Sequence, residues 1–172
     1  MPEVRPATTA DVDAIARLAA RTFALACPDH TPSEAIAAHI ATELTADRFR
    51  QHMARAQFLV VDGPPGEVSG YVMLTRDPPP IDTAWADPLE LRRIYVDEAE
   101  HGKGTASALM QASVAMAERD GHDWLWLGTN EQNQRAIRFY EKFGFTIVGQ
   151  RTFFVADSEE SDHVMARSVS PT

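Results

Sequence analysis

Cysteine occurs once in this chain, at Cys27, and lysine only twice, at Lys103 and Lys142. A single thiol excludes an intrachain disulfide and any zinc site built from cysteines. The six histidines (His30, His39, His52, His101, His122 and His163) have no metal-ligand spacing, so no metal is expected. Long apolar runs are also missing. Nothing approaches the 18 or so residues of a membrane span, and Met1-Pro2-Glu3 does not begin a signal peptide, so a cytoplasmic protein without membrane attachment is expected. Positive charge is short: 16 Lys and Arg stand against 25 Asp and Glu, a net charge of −9. That deficit argues against gripping a nucleic-acid backbone, which needs a basic face, and leans towards cationic partners such as amines.

What is present is globular in character. The 172 residues are 44% hydrophobic and 24% charged, and a chain of this length is expected to fold as one domain over residues 1–172. The charge is uneven. Residues 1–76 carry nine acids and seven bases, while residues 77–172 carry sixteen acids and nine bases. Arg76-Asp77-Pro78-Pro79-Pro80 separates these halves as a rigid loop.

The pattern alternates helix and strand. Thr8 and Asp11 can cap a helix that puts Val12, Ile15, Leu18, Ala19 and Phe23 on one face. Thr31-Pro32-Ser33-Glu34 opens a second helical stretch, in two pieces, running to about Ala56. Phe58–Val61 and Ser69–Leu74 read as strands around the turn Asp62-Gly63-Pro64-Pro65-Gly66. Leu91–Val96 is a further strand, followed by a helix with Ala106, Leu109, Met110, Ser113, Val114 and Ala117 on one face. Trp124–Leu127 is a short apolar strand of the kind found at a sheet centre, and Asn133–Phe143 a helix ended by Gly144. Phe145–Val148, Thr152–Val155 and His163–Ala166 supply three more strands. The expected class is mixed α/β, with helices packed on one continuous sheet.

The most informative stretch is Ile94-Tyr95-Val96, a short acidic link, and then His101-Gly102-Lys103-Gly104-Thr105-Ala106 opening a helix. Strand, glycine loop and helix start hold phosphates: glycine lets the backbone approach the anion, and the first turn offers unpaired N–H groups. A P-loop needs its lysine after the second glycine, and a dinucleotide fingerprint needs glycine where Ser107 stands, so both fail.

His101-x-x-Gly104-x-Ala106 is similar to the pyrophosphate loop R/Q-x-x-G-x-G/A of the GNAT superfamily of N-acetyltransferases. Thirty residues on, Asn133-Gln134-Arg135-Ala136-Ile137-Arg138-Phe139-Tyr140-Glu141-Lys142-Phe143-Gly144-Phe145 resembles that superfamily's second signature, N-x-x-A-x-x-F/L-Y-x-K-x-G-F. Leu89–Val96 and Gln150–Phe154 look closest in wording to bacterial polyamine-type and other small-amine acetyltransferases. The resemblance implies a mostly antiparallel mixed sheet, splayed between its fourth and fifth strands, with helices on both faces. It implies an acetyl-CoA-binding core over residues 88–150 and variable substrate-side helices and first strands over 1–76. The fold is then that of an enzyme moving acetyl from acetyl-CoA to a primary amine in a ternary complex, without an acyl-enzyme. The family commonly dimerises through its C-terminal strands, and a homodimer is left open here.

The resemblance also assigns roles. The Ile94-Tyr95-Val96 backbone would take the pantetheine arm, and His101, Gly102, Lys103, Gly104, Thr105 and Ala106 the pyrophosphate. Asn133 and Ala136 would touch the cofactor arm and Lys142 its adenosine end. Tyr140 would be the acid for the departing thiolate. His101 departs from the usual Arg or Gln; a neutral imidazole donates one hydrogen bond and is positive only when protonated. Glu90, at the mouth end of the same strand, is the expected base, working through water, although Arg92 on its face could neutralise it. Trp85, with Asp82 and Asp87 nearby in sequence, could help form an amine-binding rim with Glu90. Acidity in the second half favours a polyamine or other small cationic amine as acceptor. The alternatives are a protein or peptide acceptor, and a CoA-binding sensor that has kept the loop without catalysis.

Overall fold

The computed structural model describes residues 2–27, 29–155 and 157–169; Met1 and 170–172, the ends of the expected domain, lie outside the described residues. Seven strands alternate with five helices: β1 (Val4–Pro6), α1 (Val12–Ala26), α2 (Ser33–Glu43), α3 (Ala46–Met53), β2 (Gln57–Asp62), β3 (Val68–Thr75), β4 (Pro88–Val96), α4 (Thr105–Arg119), β5 (Trp124–Asn130), α5 (Gln134–Lys142), β6 (Thr146–Val155) and β7 (Ser158–Ser168). The strands form one sheet in the order β1-β2-β3-β4-β5-β7-β6, antiparallel except for β4 and β5. Of the described residues, no helix is long and apolar enough to cross a membrane. Residue contacts group the chain into two compact units, 1–73 with 93–112, and 74–92 with 113–172.

In the first unit the entry to α1 is built as the sequence indicates. The Thr8 hydroxyl accepts from the Ala10 N–H, and the Asp11 carboxylate accepts from the Thr8 N–H at 2.8 Å, a reciprocal cap. Arg5 of β1 reaches the same carboxylate at 2.8 Å and holds its pKa below the usual range. Val12, Ile15, Leu18 and Ala19 are buried, as their spacing predicts, against Phe49, Phe58, Tyr71 and Met73. The second helical stretch is in two pieces, broken at Leu44 and restarted by the Thr45 hydroxyl, which caps the Arg48 N–H.

Two sequence expectations need correction. β1 was not foreseen, because three residues that include a proline carry no period that marks a strand. Phe145–Val148 and Thr152–Val155 are not two strands: Thr146–Val155 is continuous as β6, and Phe145 precedes it. Gly149, Gln150 and Arg151 look like a break, yet each pairs across β7, and the irregularity is a register shift between Ile147 and Gly149.

In the second unit the proline loop is tied down. The Asp123 carboxylate accepts from the Ala86 and Asp87 N–H groups at 2.6 and 2.9 Å, and Trp126 Nε1 donates to the Asp77 carbonyl at 3.2 Å. Ile81 packs where a side chain on Gly149 would otherwise stand. Gly128 leaves room in the same way for the Arg151 guanidinium, which pairs with buried Asp162 at 3.1 Å.

Gly70 of β3 is packed closely by its neighbours in the first unit. A Cβ there would lie 3.0 Å from Leu109 Cδ1, 3.1 Å from Thr105 Cγ2 and 3.3 Å from the Tyr95 carbonyl oxygen. Gly70→Ala is therefore expected to destabilise the fold by roughly 1–3 kcal/mol, read from urea unfolding midpoints. An unchanged midpoint would show that α4 shifts without cost.

Candidate active site

The first unit carries the glycine loop. β4 ends at Val96, and the Asp97 carboxylate accepts from the Ala99 N–H at 3.1 Å and from Arg21 of α1 at 2.9 Å, which together hold its pKa down. Gly102 and Gly104 have φ of 82° and 85°, the left-handed region that favours glycine, and a Cβ on either would point into open space. The Ala108 N–H bonds to the Gly104 carbonyl, so the N–H groups of Thr105, Ala106 and Ser107 open the helix without intrahelical acceptors. Thr105 is only 1% exposed, and its hydroxyl has no hydrogen-bond partner among the described residues. Bare N–H groups, two open glycines and an orphaned hydroxyl fit a bound diphosphate. Lys103 is exposed, 3.8 Å from Glu100.

His101 points back at the strand: its Nε2 lies 3.3 Å from the Val96 carbonyl oxygen. A carbonyl only accepts, so Nε2 carries the hydrogen in that bond, and a neutral ring then has no second donor for a phosphate. Only the imidazolium serves both. Ile94, Tyr95 and Val96 are half-buried; the Tyr95 ring turns to Tyr71, 5.7 Å away, so only its backbone is available for a cofactor arm.

The second unit carries Glu90 and α5. Glu90 is 5% exposed and pairs in register with Trp126 of β5. Its carboxylate accepts from the Thr75 hydroxyl at 2.9 Å. Burial pushes its pKa above the usual carboxylate range, against the Thr75 bond and the Arg92 charge. Arg92 sits closer to Asp77, at 3.1 Å, than to Glu90, at 3.9 Å. Asp77 thus draws off much of the neutralisation that the sequence raised as a concern.

Asn133 caps α5, its Oδ1 accepting from the Ala136 N–H at 3.1 Å. Tyr140 lies two turns further on, half-buried, between Phe139 at 5.6 Å and Phe145 at 5.9 Å. Lys142 is exposed. Trp85 stacks on Trp124 at 4.9 Å, so one ring face is covered, and Asp87 is engaged by His122 at 3.3 Å. Cys27 is half-buried with its thiol pKa raised by burial, as expected of a plain thiol rather than a nucleophile. Thr75, Arg151 and Asp162 were missed by sequence reasoning. They meet Glu90 or one another through strand pairing, which leaves no local signal in the sequence.

The profile of the Acetyltransferase (GNAT) family matches residues 16–145. An uncharacterized N-acetyltransferase of Mycobacterium tuberculosis is 38% identical over 160 residues, covering 92% of this chain and 98% of the relative. Among solved structures, the PaiA N-acetyltransferase of Thermoplasma acidophilum in complex with coenzyme A aligns with a TM-score of 0.78 at 18% identity, over 98% of this chain and 99% of that one. The ribosomal-protein-S18-alanine N-acetyltransferase of Escherichia coli aligns at 0.72 and 19% identity, over 100% and 96%. At such identities the structural likeness establishes the fold.

The His101 geometry makes a test. His101→Ala is expected to weaken acetyl-CoA affinity by roughly 2–10-fold, because the ring's bond to the Val96 carbonyl ties the loop to the strand. Titration calorimetry checks it; unchanged affinity would remove His101 from the phosphate site.

Proposed function

Because the chain belongs to the GNAT family of acetyltransferases, we propose that it transfers acetyl from acetyl-CoA to a small primary amine by direct attack in a ternary complex. The loop Gly102–Ala106, with Lys103 and the Thr105 hydroxyl, binds the pyrophosphate. The backbone of Ile94 to Val96 takes the pantetheine arm, aided by Asn133 and Ala136, and Lys142 lies towards the adenosine end.

An amine near pKa 10.4 is only about one part in 10³ neutral at pH 7, so it must give up a proton before it attacks. Glu90 accepts that proton, through water. The nitrogen lone pair then forms the C–N bond as the thioester C–S bond breaks. Tyr140 gives its phenolic proton to the leaving sulfur and recovers one from the new amide nitrogen. The products are the acetylamide, CoA thiol and one proton released through Glu90.

The observation that carries this reading over a catalytically silent sensor is the state of Glu90. A buried carboxylate whose pKa is raised by burial, bonded by one hydroxyl and sharing Arg92 with Asp77, suits proton uptake above the ordinary carboxylate range. The acceptor arrives as an ammonium ion, favoured by the acidity of residues 77–172. Small cationic amines, polyamines among them, are the class it suits, with Trp85 at the rim. A peptide N-terminus is the second reading.

Tyr140→Phe is expected to lower kcat by roughly 10²-fold with acetyl-CoA binding kept within about threefold. Unchanged turnover would make Tyr140 a packing residue. For Glu90 the sign follows from its raised pKa: the carboxyl is protonated and inactive below it, so kcat/KM falls as pH falls through a value above the ordinary carboxylate range. Glu90→Gln should lower kcat/KM by about 10²-fold or more and abolish that acidic limb. A limb that survives in the variant would assign the base elsewhere.

A further inference from the structure

Arg151 of β6 reaches across β7 to lie over β5. Its Nε and Nη2 donate to one carboxylate oxygen of Asp162, its register partner on β7, at 3.2 and 3.1 Å. The guanidinium ends above Gly128 of β5, where a Cβ would lie 2.6 Å from Arg151 Cζ, so any other residue there would displace it. Trp126 and Gly128 are two apart and share a sheet face, and Trp126 stands opposite Glu90 in the last pair of the β4–β5 ladder. The guanidinium and the Glu90 carboxyl therefore lie on one face and one diagonal step apart, a backbone spacing of about 7–8 Å that long side chains span. All of these residues belong to the second unit.

The groups that face Glu90 are the Thr75 hydroxyl, Arg92, Asp77 and Arg151. Each of the two arginines is tied to its own aspartate, but the pairs differ in exposure. The side chains of Arg92 and Asp77 are 45% and 58% exposed, those of Arg151 and Asp162 34% and 8%. Water and salt screen the first pair far more than the second. At Glu90, Arg92 and Arg151 favour the ionised carboxyl, while burial and Asp77 oppose them. Asp162 is itself pushed upward by burial and by Glu160, against Arg151 and His163. An ion pair this far from water gives up solvation that apolar residues would not, so sheet stability alone does not account for it.

We propose that Arg151 is a positioning residue for the proton transfer: seated over Gly128, it keeps the Glu90 carboxyl ionised and able to take the acceptor's proton, and Asp162 limits how much of its charge Glu90 meets. The inference rests on Glu90 as the base of the acetyl-transfer reading and adds the control of that base. Arg151 acts through Glu90 rather than on the substrate. Without Arg151, Glu90 is protonated over a wider pH range. Without Asp162 the full guanidinium charge is released, and the effect on Glu90 has the opposite sign. A pair that only braced the sheet would not produce opposite signs.

The test follows the acidic limb of kcat/KM and, in the free full-length protein, the carbon-13 resonance of the Glu90 carboxyl, assigned by its loss in Glu90→Gln. Arg151→Gln is expected to move both titrations to higher pH, so that kcat/KM at a pH on the limb, relative to its plateau, falls by roughly 3–10-fold. Asp162→Asn is expected to move both to lower pH. Arg151→Lys keeps the charge and should stay closer to the wild type than Arg151→Gln. If the single variants do not fold, the double variant Arg151→Gln, Asp162→Asn leaves no unpaired buried charge. It should still move both titrations to higher pH, because the charge over β5 is nearer to Glu90 than the one on β7. Unmoved titrations in whichever of these variants folds, or movement in one direction by both single variants, overturn the inference. If Glu90→Gln removes the limb while the Arg151 variants leave it in place, acetyl transfer through Glu90 stands and only this inference falls. A limb that survives Glu90→Gln, or acetyl-CoA binding without turnover of any amine, overturns the reading of Glu90 as base and this inference with it.

Discussion

Charge inside a sheet has to be answered where it stands, and β4 carries three charges within four residues: Glu90, Arg92 and Arg93. Water cannot solvate them fully, so each needs a neighbour or a shifted pKa. Glu90 takes a hydroxyl from Thr75 and a raised pKa. Arg92 takes Asp77. Arg93 takes an aromatic ring and no anion among the described residues. A strand chosen for stability alone would hold valine or isoleucine at these positions, as Val60 and Val72 do in β2 and β3. The departures mark the part of the strand where charge, rather than apolar packing, sets the local structure.

On the proposed reading the glycine loop meets the opposite problem, that of drawing an anion to a protein of net charge −9. Global charge matters little at contact distance, because solution ions screen it beyond about 8–10 Å. What counts is the local array: helix N–H groups without intrahelical acceptors, two glycines in left-handed conformation and a buried hydroxyl without a hydrogen-bond partner among the described residues. Acidity elsewhere then discourages other polyanions without spoiling this site. The ties from Asp97 to Ala99 and Arg21 keep the loop in place before any ligand arrives.

Most of the element order was legible from sequence because the signals were local. Thr8 and Asp11 announced a cap, Gly144 marked a helix end with φ of 87°, and Asn133 began α5 as a cap residue does. β1 escaped because three residues with a proline have no periodicity, and β6 was split because a register shift resembles a break. The loop and α5 residues were legible for the same local reason, each within a short motif. Thr75, Arg151 and Asp162 were not, since nothing near them in the chain shows what they face.

By itself, the sequence determined the α/β class, the helix caps, the phosphate-type loop and the identity of the residues that could act as acid and base. These depend on neighbours within a turn or two, where covalent geometry and local hydrogen bonding decide the outcome. Tertiary structure decided how those residues are tuned: Thr75 rather than Arg92 closest to Glu90, the His101 ring turned to the Val96 carbonyl, and Arg93 set over the Phe49 ring. Charge interactions fall off over a few ångströms and depend on burial, so partners brought together by strand pairing and packing set them, and sequence distance does not report those partners.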